Sequence, residues 1–255
     1  MGHLLYHCFC RSKRNSIDPA IDVLKGILKN GFFLVKEDPE VPWKDPCGCN
    51  KSLQVRQYRL CLTSLNCESD LRDHCEAFGP VGIGFETEFI RALGGFPVFY
   101  LPAPIGNDEK DTEDRIGVSL LYRLTELRTI MDKIKCLPNK YRSELYDHVE
   151  DIGELEGAIR FLGNILYFTD YTRQTDTLEL RYYRQREWRL IAGLTSDHVR
   201  IDCVKGSPYY ILAEHDGKPI RNFIKEIVVH GSKNDCALVD KVLQNYGMSI
   251  RSRLL

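Results

Sequence analysis

The amino-acid sequence predicts an α+β protein: a mixed strand core carrying one helical insertion. Three observations predict it. Short apolar runs of strand length recur early in the chain, as in Leu4 to Phe9, Tyr58 to Leu62 and Val81 to Phe85. They recur again late, as in Glu187 to Leu194, Val199 to Cys203, Tyr209 to Leu212 and Ile224 to His230. Between the two groups the apolar period lengthens to that of an amphipathic helix. The order of strands, helical stretch and strands is that of an α+β chain. We read residues 1–255 as a single domain with a helical insertion at about 115–168.

Leu4-Leu5-Tyr6-His7-Cys8-Phe9 is the first strand. A histidine inside it reads as a core imidazole or as a hydrogen-bond donor at a strand end. Arg11 to Asn15 is a polar turn, and Asp18-Pro19 an N-cap with a first-turn proline. Ile17, Ile21, Leu24 and Leu28 follow at helical spacing, and Gly31 stops the helix. Phe32 to Val35 is a short strand. Residues 36–52, rich in charge and proline, read as a long surface loop over a site.

After the strand at Tyr58 to Leu62, Thr63 and Ser64 place two hydroxyls at its end. Leu71 to Phe78 is a short helix. Val81, Ile83 and Phe85 share one strand face and leave Gly82 and Gly84 on the other, which predicts a close approach there. The run has neither phosphate-loop fingerprint. Glu86 to Leu93 is a helix and Pro97 to Leu101 a buried strand. An acidic linker, Asn107 to Asp114, leads into a long helix marked by Ile116, Leu120, Leu124, Leu127, Met131 and Ile134. A second helical stretch is expected from Tyr141 to Phe168. Asp235 to Tyr246 is a helix, and Met248 to Leu255 a last strand.

The formal net charge of −1 speaks against nucleic-acid wrapping as the main role. No apolar run approaches the ~20 residues of a membrane span, and no signal-peptide pattern opens the chain, so the expected location is the cytoplasm. The ten cysteines then read as reduced thiols. Cys8-Phe9-Cys10 and Cys47-Gly48-Cys49 have one intervening residue, where zinc sites use two to four, so no structural metal is expected.

The most chemically suggestive stretch is Tyr182-Tyr183-Arg184-Gln185-Arg186-Glu187-Trp188-Arg189. It feeds an apolar strand, so Glu187 stands at a loop–strand junction among cations that keep it ionised. In an extended chain Gln185 and Glu187 point the same way.

The chain resembles the AbiGi-type abortive phage-resistance proteins. The resemblance rests on Leu5-Tyr6-His7, the helix end Gly26 to Gly31, Leu60-Cys61-Leu62-Thr63, Phe78 to Phe85, Glu187-Trp188-Arg189 and Ile224 to Val229. More distantly, the layout is similar to ADP-ribosyltransferase-like proteins, including the DarT type. That resemblance implies NAD as substrate, with a polar residue early, a hydroxyl in the middle and a glutamate late. His7, Thr63 or Ser64, and Glu187 occupy that order, and Gln185-Arg186-Glu187 matches the Gln-x-Glu variant. It implies Glu187 and His7 as catalytic residues, and His7, Thr63, Ser64, Gln185 and Arg186 as the NAD-binding set. The chemistry needs a fixed carboxylate beside an oxocarbenium-like state.

Three function classes follow. One is a defence enzyme that uses NAD and modifies a protein or nucleic-acid acceptor. Another is a non-catalytic antitoxin or regulator of a cognate toxin on the same fold. A nucleic-acid-binding module built on Arg181 to Arg189 is a third.

Overall fold

The computed structural model describes residues 3–11, 16–37, 40–44, 49–54, 57–65, 67–103, 116–138, 141, 153–155, 157–159, 161–162, 166–170, 186–203 and 209–255. The chain divides into two compact units. One comprises Met1–Lys36, Tyr58–Pro97 and Tyr182–Leu255, and the other Glu37–Gln57 and Val98–Arg181.

The elements in chain order begin with β1 (Leu4–Phe9), α1 (Asp18–Asn30), β2 (Phe32–Glu37), β3 (Glu40–Lys44), β4 (Asn50–Gln54) and β5 (Gln57–Ser64). Then come α2 (Glu68–Phe78), β6 (Val81–Glu86), α3 (Thr87–Ala92), β7 (Phe96–Pro97), β8 (Phe99–Ala103), α4 (Ile116–Lys135) and β9 (Leu166–Asp170). The chain closes with β10 (Glu187–Ile191), β11 (Val199–Cys203), β12 (Tyr209–His215), β13 (Lys218–Pro219), β14 (Glu226–Val229), α5 (Lys233–Asn245) and β15 (Ser252–Leu254).

The first unit is built on an open 11-stranded sheet with the path β11-β12-β2-β5-β1-β6-β14-β15. β10 lies beside β5 and β7, and β13 beside β12. β14 and β15 run parallel, whereas β1 pairs antiparallel with β5 and β6. The protein is thus a mixed α/β fold with helices on a mixed sheet.

One sheet face is dry. Leu5 and Phe9 of β1, Leu60 and Leu62 of β5, and Val81, Ile83 and Phe85 of β6 are buried there. They pack with Leu24 and Leu28 of α1, Ile90 of α3, and Val239 and Leu243 of α5. Each fully buried side chain of this size contributes about 1.5–3 kcal/mol over exposure. Helix α1 ends at Gly31, whose φ of 109° is left-handed and whose N–H caps the Ile27 carbonyl at 2.8 Å. A Cβ at Gly31 would meet the Leu212 carbonyl oxygen at 2.2 Å, so only glycine fits. The helix begins one residue earlier than its sequence suggests. Ile17, not Asp18, holds the N-cap position, and the Asp18 carboxylate accepts from Ser16 Oγ at 2.9 Å.

The opposite face carries a smaller cluster of Tyr6, Cys8, Leu71, Cys75, Val228 and Leu255 under α2. The expected close approach over the glycines of β6 is made by these side chains. A Cβ at Gly82 would meet Val228 Cγ2 at 2.8 Å and Cys8 Sγ at 2.9 Å. One at Gly84 would meet the Tyr6 ring at 2.9 Å. That ring is anchored, because Tyr6 Oη donates to Glu226 Oε2 at 2.5 Å and Arg253 Nε donates to the other oxygen of the same carboxylate.

Three expectations are corrected. Residues 36–52 are not a loop throughout, since β3 and β4 form an antiparallel hairpin with Glu40 opposite Gln54. Val41, Trp43 and Leu53 favour strands, and a two-stranded ribbon leaves each strand an edge on which a proline costs no ladder bond. Pro97 to Leu101 is not one buried strand. β7 pairs with β10, β8 pairs with β9, and Phe99 is 57% exposed. The insertion is not helical to its end. Leu166 to Phe168 belong to β9, parallel to β8. A short apolar run cannot be assigned to helix or strand by periodicity alone, and its aromatic residues favour the strand. α4 matches the expected long helix, and 153–155, 157–159 and 161–162 are helical. The acidic linker lies outside the described residues. Among the described residues, no helix is long and apolar enough to cross a membrane.

Gly84→Val tests the packing on β6. The Tyr6 ring is held by its hydroxyl and cannot step aside, so the added methyls overpack the face. We expect a loss of about 2–3 kcal/mol in urea unfolding at neutral pH, at the upper end of the usual overpacking cost.

Candidate functional site

The site grows from the register of β5. β10 pairs antiparallel along it, with Glu187 opposite Thr63, Trp188 opposite Leu62, Arg189 opposite Cys61 and Ile191 opposite Arg59. On the other edge of β5, Tyr6 lies opposite Thr63. Residues directly opposite share a face, and neighbours along a strand alternate. Glu187, Thr63 and Tyr6 therefore form one row across the sheet. Arg189 and Cys61 form the next row on that same face.

Arg189 is 1% exposed and among the largest fully buried side chains described. Its Nε donates to Glu187 Oε1 at 2.8 Å, and its Nη2 lies 3.5 Å from the second carboxylate oxygen. The strand spacing of two makes the pair, since Glu187 and Arg189 must point the same way. Burial acts to raise the Glu187 pKa. The Arg189 charge and hydrogen bond, a hydrogen bond from the Cys61 thiol, and the Arg59 charge outweigh it and hold the carboxyl below its usual range. Cys61 is pushed up to about 12, first by burial and then by the Glu187 charge, so it stays a thiol at neutral pH. A thiol in that state is a poor nucleophile.

His7 stands elsewhere. It follows Tyr6 on β1, so it points to the opposite face, towards Phe9 and Phe32 of the main core, with ring centroids at 5.8 and 5.9 Å. The β1–β5 ladder holds two register pairs, Leu5 with Ser64 and Tyr6 with Thr63. Beyond them, His7 Nδ1–H donates to the Cys61 carbonyl at 2.9 Å. This fixes the neutral tautomer with its lone pair on Nε2. Burial pulls the His7 pKa down to about 4, against the opposing pull of the Cys61 carbonyl. Buried His74 on α2 is also lowered to about 4, first by burial and then by the His7 charge.

The structure thus brings Glu187 and Thr63 together and sets His7 and Ser64 on the other side of the sheet. Thr63 is buried at 4% exposure. Arg186 is exposed, and its φ of 42° breaks the extended chain immediately before Glu187. The extended-strand argument that aligned Gln185 with Glu187 therefore stops at Arg186. Gln185 itself, with Arg181 and Arg184, lies outside the described residues. The partners of the carboxylate that carry most of its electrostatics are Arg189, Cys61 and Arg59. The Glu-x-Arg spacing of a strand carried a signal for Arg189; the approach of Cys61 and Arg59 follows from the β5–β10 register, which the sequence does not show.

As a cradle for one dinucleotide, His7 and Ser64 do not fit together with Glu187 and Thr63. A nucleotide against Glu187 has the sheet between it and the His7 imidazole. Among the described residues, no group of three or more histidine, cysteine or acidic side chains is arranged to hold a metal ion. None of the protein-family models, curated proteins or solved structures compared with the chain matches it.

Two predictions follow from the electrostatics. His7 and His74 fold as neutral rings with pKa values lowered from 6.5 to about 4. Their neutral burial stabilises fully above pH 6.5, and the contribution is lost as pH falls towards 4. Each accounts for up to roughly 3 kcal/mol. Urea midpoints should fall between pH 7 and 4.5, with a smaller fall in His74→Leu. Arg189→Met should cost about 3–5 kcal/mol by leaving the Glu187 carboxylate buried without its main counter-charge. The double variant Arg189→Met with Glu187→Leu should recover much of that loss in the same unfolding assay.

Proposed function

We propose that this protein acts in antiviral defence as a non-catalytic partner, an antitoxin or regulator that binds a cognate toxin. Its open mixed sheet then serves as scaffold. The observation that supports this reading is the commitment of the late glutamate: Glu187 is tied to buried Arg189 on the face opposite His7. A transferase of the kind the sequence resembles needs both groups around one nucleotide. One observation favours the competing reading of an NAD-consuming enzyme. Glu187 is held ionised, opposite Thr63 on the same sheet face, as an oxocarbenium-stabilising carboxylate has to be.

The two readings separate in one experiment. Wild type and Glu187→Gln are compared for NAD turnover, for transfer of labelled ADP-ribose, for protection of cells against phage, and for folding by circular dichroism. The expected outcome is no turnover or transfer by wild type, with protection retained by every variant that stays folded. NAD consumption by wild type that falls by a hundredfold or more in a folded Glu187→Gln protein overturns the proposal, since removing such a stabilising charge costs about 3–4 kcal/mol of barrier.

A further inference from the structure

Cys8 on β1 and Cys75 on α2 are buried, and their Sγ atoms stand 3.4 Å apart. Both are free thiols. The space they occupy exists because position 82 has no side chain. A Cβ at Gly82 would lie 2.9 Å from Cys8 Sγ and 3.8 Å from Cys75 Sγ. They share a buried cluster with Tyr6, Leu71, Val228 and Leu255. The two sulfurs are therefore held as neighbours by packing from a strand and a helix that are far apart in the chain.

We propose that Cys8 and Cys75 form a reversible disulfide that staples α2 to β1 and serves as an oxidation-responsive lock on this face of the sheet. A disulfide needs its sulfurs at about 2.05 Å, so the pair must close by roughly 1.4 Å, a distance within reach of side-chain torsions. The oxidant is a peroxide. Attack of one sulfur on hydrogen peroxide breaks the O–O bond, forms a sulfenic acid and releases one water. The second thiol then attacks the sulfenic sulfur, forms the S–S bond and releases the sulfenic oxygen as a second water. The protein is oxidised by two electrons and the peroxide reduced by two. A thiol pair reduces the bond again by exchange. The neighbouring thiol and burial raise the Cys8 pKa, so the thiolate is scarce at neutral pH. Attack through Cys8 is accordingly slow at pH 7 and quickens as pH rises.

The test treats the full-length protein with hydrogen peroxide at pH 7 and pH 9, blocks remaining thiols under denaturing conditions, and maps the peptides by mass. The expected result is a linked pair of peptides carrying Cys8 and Cys75, formed at least several-fold faster at pH 9. A higher melting temperature should accompany it and be reversed by dithiothreitol. Cys75→Ser should show no such rise. Recovery of Cys8 and Cys75 as blocked thiols, while exposed Cys49, Cys67, Cys136 and Cys203 have been oxidised, overturns the proposal. Oxidation of either cysteine to sulfinic acid without the linked peptide overturns it as well. The peptide map of wild type decides the matter even if the serine variant does not fold.

Discussion

A guanidinium taken out of water must take an anion with it. Arg189 is buried at the middle of β10, and the nearest carboxylate that the strand can supply is two residues away on the same face. That requirement orders much of the site. It turns Glu187 inward along the sheet and keeps it ionised. It places both charges over the strand that carries Cys61 and Thr63. It also sends Trp188 and Leu190 to the apolar side, where they pack with Leu60 and Leu62. A carboxylate used in this way is first a counter-ion, and any further chemistry has to be done with what that bond leaves over.

The sheet accordingly has two characters. One face is a continuous apolar layer under α1, α3 and α5. Among the described residues, the other carries the Glu187–Arg189 pair on β10, and the Tyr6–Glu226–Arg253 network across β1, β14 and β15. Between them the glycines of β6 let aromatic and sulfur atoms lie flat against the backbone. His7 belongs to the apolar layer although it is polar. It is tolerated there because the Cys61 carbonyl, freed where the β1–β5 ladder stops, accepts its one proton.

The fold was legible where periodicity was long or the punctuation strong. The alternating Val81 to Phe85, the apolar stripe of α1 before Gly31 and the long α4 appear where the pattern places them, and α5 appears too, but two residues earlier than expected, behind a Ser232 cap that the pattern did not mark. It was not legible where short apolar runs could serve either state, as at Leu166 to Phe168, or where a hairpin hides in charge and proline, as at β3 and β4. For the site, the strand identities of His7, Thr63 and Glu187 could be read directly. Their faces could not. Facing depends on which residue of β5 stands opposite which residue of β1 and β10, and a shift of one position reverses the outcome. No single-strand pattern carries that information.

The left-handed Arg186 also bears on how this chain tolerates change. Just before β10 the backbone turns out of the extended form, while the Ser64 N–H reaches the Arg186 carbonyl at 3.4 Å. The turn marks the point at which the β10 ladder begins. A change in length before Arg186 leaves the pairing of Glu187 with Thr63 and of Arg189 with Cys61 in register. The same change one residue downstream would carry Arg189 into the hydrocarbon layer and expel Trp188 from it. Length variation among related chains should therefore be found before this corner and never within the five residues after it.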